Sequence, residues 1–231
     1  MAQKKVNAVI HSQEKLAEGI YSMWLDAPEM AKAAVPGQFI AVYTNDQSKL
    51  LPRPISICEA DKENGRLRIV YRIAGAGTKE FSECKAGDTL DIMGPLGNGF
   101  PLKKKKAFLI GGGIGIPPML ELAKNLDCEK TAVIGYRDQE TFLADELRKY
   151  ADVVIATEDG SVGTKGNVID AIRAEKLTAD IIYACGPTPM LKALKAYAME
   201  NGIECYISLE EKMACGIGAC LGCVCHSKDI D

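Results

Sequence analysis

The hydrophobic periodicity of this 231-residue chain changes partway along, and that change limits the fold more than any other feature. Up to about residue 100, apolar residues come in short alternating or β-branched runs broken by Gly, Pro and Asn. Beyond Gly94-Pro95-Leu96-Gly97-Asn98-Gly99-Phe100-Pro101 they come as continuous apolar strands, most followed by glycine and a helical pattern. Alternation suits an antiparallel sheet with one face buried, whereas a continuous apolar strand needs cover on both faces. Both patterns in series imply two layered units, and the chain is long enough for two cores of about a hundred residues each.

In the first half the predicted strands cover 6–11, 19–25, 38–44, 55–60, 67–72 and 89–93. Pro36-Gly37, Glu63-Asn64-Gly65 and Ala86-Gly87-Asp88 supply turns between paired strands, so six strands predict a small antiparallel barrel. A short helix is expected over 78–83, with Thr78 as its N-cap after the loop Gly75-Ala76-Gly77. In the second half, strands over 107–110, 131–136, 152–156 and 181–185 predict a parallel sheet of Rossmann-like kind. Pro117 and Pro118 fit the first turn of the helix after the first of these, where a missing N–H costs nothing.

Four stretches carry chemistry. Arg53-Pro54-Ile55-Ser56 places a guanidinium and a hydroxyl on a stiffened approach to a strand, suited to a pyrophosphate and a heteroaromatic ring; a surface arginine is the plain alternative. Gly75-Ala76-Gly77-Thr78 offers helix-start N–H groups for the same phosphates, or is an ordinary turn. Gly111-Gly112-Gly113-Ile114-Gly115 joins a strand to a helix, where a dinucleotide pyrophosphate can approach the backbone, although it is not GxGxxG. Cys185 and Gly186 end a parallel strand, at the edge where open α/β sheets bind ligands, or are strand-to-helix punctuation.

The last motif is Cys215-Gly-Ile-Gly-Ala-Cys220-Leu-Gly-Cys223-Val-Cys225, which holds four of the nine cysteines within eleven residues. C-x4-C-x2-C is the ligand run of a plant-type [2Fe–2S] centre, and Gly216, Gly218 and Gly222 permit the positive φ that wrapping an inorganic cluster needs. Disulfides need an oxidising compartment and strain at this crowding. A zinc site from Cys220, Cys223, Cys225 and His226 would use adjacent residues, which make poor tetrahedral ligands. Cys58, Cys84, Cys128 and Cys205 stand singly and are expected as packing residues.

Charge and composition close off other classes. A net charge of -3 leaves no nucleic-acid footprint, and the one basic run, Lys103 to Lys106, reads as a solvated link between the two units. The N-terminus lacks the apolar core of a signal peptide and no window approaches a membrane span, so a cytoplasmic protein without membrane contact is expected. Only two histidines, His11 and His226, argue against a hydrolase with a histidine base. His11 is expected on the surface.

Taken in order, RPIS (53–56), YRIAGAGT (71–78), GPLGNGF (94–100), GGGIGIPPM (111–119) and YACGPTPM (183–190) resemble the ferredoxin–NADP reductase superfamily. With MACGIGACLGCVCH (213–226), the whole chain resembles the iron–sulfur electron-transfer subunits of the NAD-dependent, type B dihydroorotate dehydrogenases of pyrimidine biosynthesis. The resemblance implies an FAD-binding barrel over 1–101, an NAD-binding Rossmann-like domain over 102–208 and a shortened [2Fe–2S] segment over 209–231. By that likeness Arg53, Pro54, Ile55 and Ser56 meet the flavin and its phosphates, Val70, Tyr71 and Arg72 line it, and Gly77 and Thr78 hold the pyrophosphate. Gly111, Gly112, Gly113, Gly115, Cys185 and Gly186 serve the pyridine nucleotide, and Cys215, Cys220 and Cys223 ligate the cluster. The implied partner is an FMN-containing catalytic subunit, two copies of each forming a heterotetramer. The second job within the superfamily is a subunit of a hydrogenase or ferredoxin:NADP reductase complex; Arg137 and Asp138 after the second parallel strand lean to NAD. The chain departs from the family at the fourth ligand, which comes from a tail a dozen or more residues beyond the third cysteine. Here eight residues follow Cys223, none of the last six is cysteine, and Cys225 is read as a bystander.

Overall fold

The structure is a computed structural model that describes residues 4–46, 48–211 and 213–224. Six strands, β1 (Lys4–Ala17), β2 (Ile20–Asp26), β3 (Phe39–Val42), β4 (Arg53–Asp61), β5 (Arg66–Arg72) and β6 (Thr89–Leu96), close into a barrel in the order β1-β2-β5-β4-β3-β6. Every pairing is antiparallel, as the alternation requires. Met23, Leu25, Ile40, Ile57, Leu67, Ile69, Leu90 and Ile92 fill the inside. Two short helices plug it, α1 (Pro28–Ala33) and α2 (Ala76–Glu83), the latter through fully buried Phe81.

Three details differ from the sequence expectation. β1 runs six residues past His11, which is exposed on it, because the strand bends at an irregularity between Ile10 and Ser12 and keeps pairing with β2. Helix α1 is only six residues long, too short to show a helical period, and starts on Pro28, whose fixed φ suits the first turn. Helix α2 begins two residues early: Gly75 is the N-cap, and Thr78, in the third helical position, reaches back to accept hydrogen bonds from Ala74 N (2.8 Å) and Gly75 N (3.3 Å). The hydroxyl caps the helix from inside its first turn.

The second sheet is parallel throughout: β7 (Ala107–Gly112), β8 (Lys130–Tyr136), β9 (Asp152–Thr157), β10 (Thr164–Lys165), β11 (Ile181–Cys185) and β12 (Glu204–Ser208), in the order β10-β9-β8-β7-β11-β12. Helices α3 (Pro117–Asn125) and α4 (Ala144–Leu147) bury one face, and α5 (Val168–Ala174) and α6 (Thr188–Asn201) the other. The fold class read from the sequence, a barrel followed by a Rossmann-like parallel sheet, is the fold observed. β10 and β12 escaped the periodicity because one is two residues long and the other is an edge strand, half-buried at every position. The chain leaves β7 for β8 on one side and returns to β11 on the other, so the strand order reverses at β7.

The two sheets share a core. Cys58 and Val70 of the barrel pack in one cluster with Ile116, Met119 and Leu120 at the start of α3. The basic run between the sheets is neutralised locally: Lys103 and Lys105 pair with Glu204, Lys104 with Asp127 and Lys106 with Glu129. Buried Tyr183 pins the link by donating its hydroxyl to Pro101 O (2.7 Å) and accepting from Lys103 N (3.2 Å).

Candidate functional site

A cleft of ≈ 620 Å³ opens between the barrel and the parallel sheet. That volume is in the range of sites for cofactor-sized molecules. Arg53, Pro54, Ile55 and Ser56 from the start of β4 line it, with Val70, Tyr71 and Arg72 from the end of β5 and Thr78 from α2. β4 and β5 are paired, so two motifs with thirteen residues between them meet on one wall. The Tyr71 ring itself lies in the barrel core, stacked on Tyr21 at 6.0 Å, with its hydroxyl donating to Gln13 Oε1 at 2.8 Å.

Gly77 is explained by Arg53. A Cβ built on Gly77 would lie 2.1 Å from Arg53 Nε and 2.4 Å from Cζ, so the missing side chain is the seat of the guanidinium. Arg53 Nη1 also donates to Leu51 O at 2.6 Å, which fixes the side chain over the first turn of α2. The first main-chain bond of that helix is from Lys79 N to Gly75 O, and the N–H groups before it are the ones a helix start leaves for an anion. A guanidinium and a helix N-terminus thus converge beside a cavity with a partly apolar wall, which fits a cofactor carrying a pyrophosphate.

At the carboxyl edge of the parallel sheet, Gly111 on β7 is paired with Cys185 on β11, so the glycine run and the Cys185-Gly186 turn stand side by side at the strand-order reversal. Most of these glycines answer to packing. A Cβ on Gly115 would fall 2.2 Å from Cys185 O, one on Gly111 2.8 Å from Ile116 Cα, and one on Gly112 2.7 Å from Met190 Sδ. Gly186, at φ +155, meets Met190 Cε in the same way. Gly113 differs: it sits at φ +52 with open space where its Cβ would be, so the backbone can be approached there. The thiol of Cys185 is buried, and burial pushes its pKa up to about 12. Ile114, between these glycines, lines the large cleft and joins the two regions.

The cysteine loop rests on the barrel, since a Cβ on Gly216 would touch Leu96 Cδ1 of β6 at 3.3 Å and Ala41 Cβ of β3 at 4.0 Å. Cys220 N donates to Cys215 Sγ at 3.4 Å. Hydrogen bonds from the main chain at Ile217 and Cys220, from the Cys220 thiol and from the main chain at Ala219 lower the Cys215 thiol to about 6, because donors aimed at one sulfur favour its thiolate. A sulfur held as thiolate by main-chain donors is the donor chemistry an iron–sulfur centre uses. Gly216 (φ 70) and Gly218 (φ 76) take the positive values expected of them, but the third left-handed residue is Leu221 (φ 57) and not Gly222. A Cβ on Gly222 would make an ordinary contact of 3.4 Å with Cys220 Sγ. Among the described residues, no three cysteine, histidine or carboxylate side chains stand around one metal position. Cys225 and His226 lie outside the described residues.

Two further walls of the cleft were not foreseen: the link residues Gly97 to Pro101, and the segment from Tyr206 to Glu211 with Met213. The first lies where the periodicity changes, and its Phe100 ring packs edge-on against Tyr183 at 5.5 Å. The second begins in the edge strand the periodicity missed and ends two residues before Cys215 in the chain. No signal in the sequence ties it to the cleft, because β12 is placed there by its pairing with β11.

Residues 7–100 match the family described as the oxidoreductase FAD-binding domain, and residues 210–231 the iron-sulfur cluster binding domain of dihydroorotate dehydrogenase B. The chain is 46% identical over 233 residues to the dihydroorotate dehydrogenase B (NAD(+)) electron transfer subunit of Streptococcus mutans serotype c, covering 97% of this chain and 89% of that protein. It is 43% identical to the protein of the same description from Geobacillus sp. strain WCH70, covering 98% and 90%. Among solved structures, it resembles the NADH-dependent reduced ferredoxin-NADP oxidoreductase studied for flavin-based electron bifurcation, with a TM-score of 0.86, 31% identity, and coverage of 96% of this chain and 83% of that one.

Proposed function

Because the chain belongs to the family of dihydroorotate dehydrogenase B (NAD(+)) electron transfer subunits, we propose that it links a catalytic partner subunit to NAD through an iron–sulfur centre and an FAD. The observation that carries the reading is that the cleft wall includes Tyr206 to Glu211 and Met213, the last only two residues before Cys215 in the chain. One cavity therefore borders the FAD-binding motifs, the glycine loop through Ile114, and the segment that presents the thiols.

Bound FAD supplies an exchange of single electrons with an iron–sulfur centre and of electron pairs with a nicotinamide. The protein's residues position and tune. Arg53 and the first turn of α2 would hold the phosphates, the guanidinium as a two-pronged donor and the helix through its free N–H groups. Ser56 and Val70 to Arg72 would bound the flavin. Gly113 gives the pyridine nucleotide close access to the backbone at the sheet edge, with Gly111, Gly112 and Gly115 packing the loop and Cys185-Gly186 beside it. Cys215, Cys220 and Cys223 would supply sulfurs, the N–H groups around Cys215 stabilising negative charge. In domain terms, residues 1–101 serve the flavin, 102–208 the nicotinamide nucleotide and 209–231 the cluster.

The catalytic partner would carry FMN and oxidise dihydroorotate in pyrimidine biosynthesis, in a complex of two copies of each chain in the cytoplasm. No helix among the described residues is long and apolar enough to cross a membrane. The likeness to the ferredoxin-NADP oxidoreductase leaves a second job within reach, but the identity is lower than to the curated relatives, 31% against 43–46%.

Protein purified without oxygen should show flavin and iron–sulfur bands together. It should reduce an artificial acceptor with NADH and turn over dihydroorotate only when the partner is added. Turnover of dihydroorotate by the isolated chain sinks the assignment, and a strong preference for NADPH moves it to the second job.

A further inference from the structure

A charged seam fastens the barrel to the parallel sheet, and it stands apart from every motif above. Arg68, on β5, is 5% exposed. Its Nη1 and Nη2 take both oxygens of Glu146 on α4, at 2.5 and 3.1 Å, across the boundary between the sheets. On the barrel side its Nε donates to Ser22 Oγ at 2.9 Å, Glu59 lies at 3.6 Å and Glu14 at 3.7 Å, and the Trp24 ring is 5.8 Å away. Glu59 is shared with Lys124 of α3 at 2.6 Å. One turn earlier on α3, buried Glu121 accepts from Ala60 N on β4 at 3.0 Å. The contacts alternate across the boundary: an arginine of the barrel to a glutamate of the sheet, a glutamate of the barrel to a lysine of the sheet.

Each side of the seam is one element away from half of the reaction centre. β5 carries Arg68 and then, two to four residues on, Val70, Tyr71 and Arg72 of the cleft. Helix α3 carries Glu121 and Lys124 and begins where the turn Gly113–Gly115 and Ile116 end. Strand and helix are stiff, so the seam sets how far the flavin wall stands from the nucleotide loop. A buried ion pair is a poor source of net stability, because desolvation offsets most of its attraction. A two-pronged guanidinium–carboxylate pair does fix a geometry, which an apolar patch free to slide does not.

We propose that Arg68, paired with Glu146, is a positioning residue that holds the flavin and nicotinamide sites in register for electron-pair transfer. This rests on the function proposed above, and two measurements keep the two apart. In Arg68→Met, loaded with FAD and cluster, rapid mixing with NADH should show the limiting rate of flavin reduction lowered at least about tenfold. NADH affinity and flavin content should be unchanged, since neither site is touched. Independently of activity, urea unfolding should lose its unity. Trp24, the single tryptophan, reports the barrel, and far-UV circular dichroism reports mostly α3 to α6. The two curves should coincide in the unsubstituted chain and separate in the variant. Where Arg68→Met does not fold, Glu146→Gln, on a side chain 34% exposed, carries the same two measurements with a smaller fall of about threefold. An unchanged rate in the flavin-loaded variant overturns the proposal, and so do coincident unfolding curves. Failure of the unsubstituted chain to be reduced by NADH refutes the proposed function instead, and the unfolding curves then decide the seam alone.

Discussion

Gly77→Ala tests the proposed flavin site apart from the stability of the barrel. A Cβ there lies 2.1 Å from Arg53 Nε, 2.4 Å from Cζ and 2.7 Å from Nη2. Ordinary contacts between such atoms are about 3.5–4.0 Å, so the guanidinium must recede by more than about an ångström. The fold has no reason to suffer: Gly77 lies within α2, where alanine is the better helix former by about 1 kcal/mol, and the obstacle is the end of a flexible side chain. The loss falls on the ligand. A charge-assisted hydrogen bond contributes about 1.5–3 kcal/mol, and losing one raises the dissociation constant for FAD roughly 10- to 140-fold. Titrating flavin-free protein with FAD and following the quenching of flavin fluorescence measures it, with thermal unfolding as the control for the fold. Arg53→Ala should weaken binding to a similar degree, and the double variant should not weaken it by the sum, because both remove one contact. A dissociation constant for Gly77→Ala within about threefold of the unsubstituted protein refutes the seating of Arg53 as the phosphate clamp.

Three further outcomes test other parts of the structure. Phe81→Ala empties the fully buried plug that α2 inserts against Tyr71, ring to ring at 6.0 Å, and should cost about 3–5 kcal/mol in urea unfolding. Cys215→Ser should abolish the iron–sulfur absorbance and its low-temperature electron paramagnetic resonance signal while flavin content and reduction by NADH persist. Cys58 and Cys185 are buried, and burial pushes both thiols upward, Cys185 to about 12, so neither is a thiolate below pH 9. Iodoacetamide at pH 8 followed by peptide mass mapping should leave both unlabelled until the chain is unfolded.

Much of the architecture is local and was therefore legible. Alternation along 89–93 forces one face inward wherever that strand pairs, and the continuous strands at 107–110 and 181–185 demand cover on both faces. The glycines at 216 and 218 announced their positive φ, and Pro117 its place in the first turn of α3. Legibility failed where the path of the main chain, rather than residue type, supplied the reason. Thr78 looked like a cap in front of a helix, and only the path of Ala74 and Gly75 made it a cap from within. Leu221, and not Gly222, takes the left-handed turn, which residue type alone did not announce.

The sequence by itself determined two kinds of sheet, their order along the chain and the chemical character of each motif, since these follow from periodicity, glycine and cysteine spacing. Which motifs share a cavity was decided by the tertiary structure alone. Pairing of β4 with β5 brings 53–56 beside 70–72, the reversal of strand order at β7 brings Gly111 beside Cys185, and the chain after edge strand β12 brings Met213 onto the cleft wall. The same is true of Arg68, an unremarked charge in an alternating strand. It gains a role only because α4 arrives from seventy-eight residues away to face it with Glu146. Contacts of that range are set by how two cores pack, and no window of sequence contains both sides.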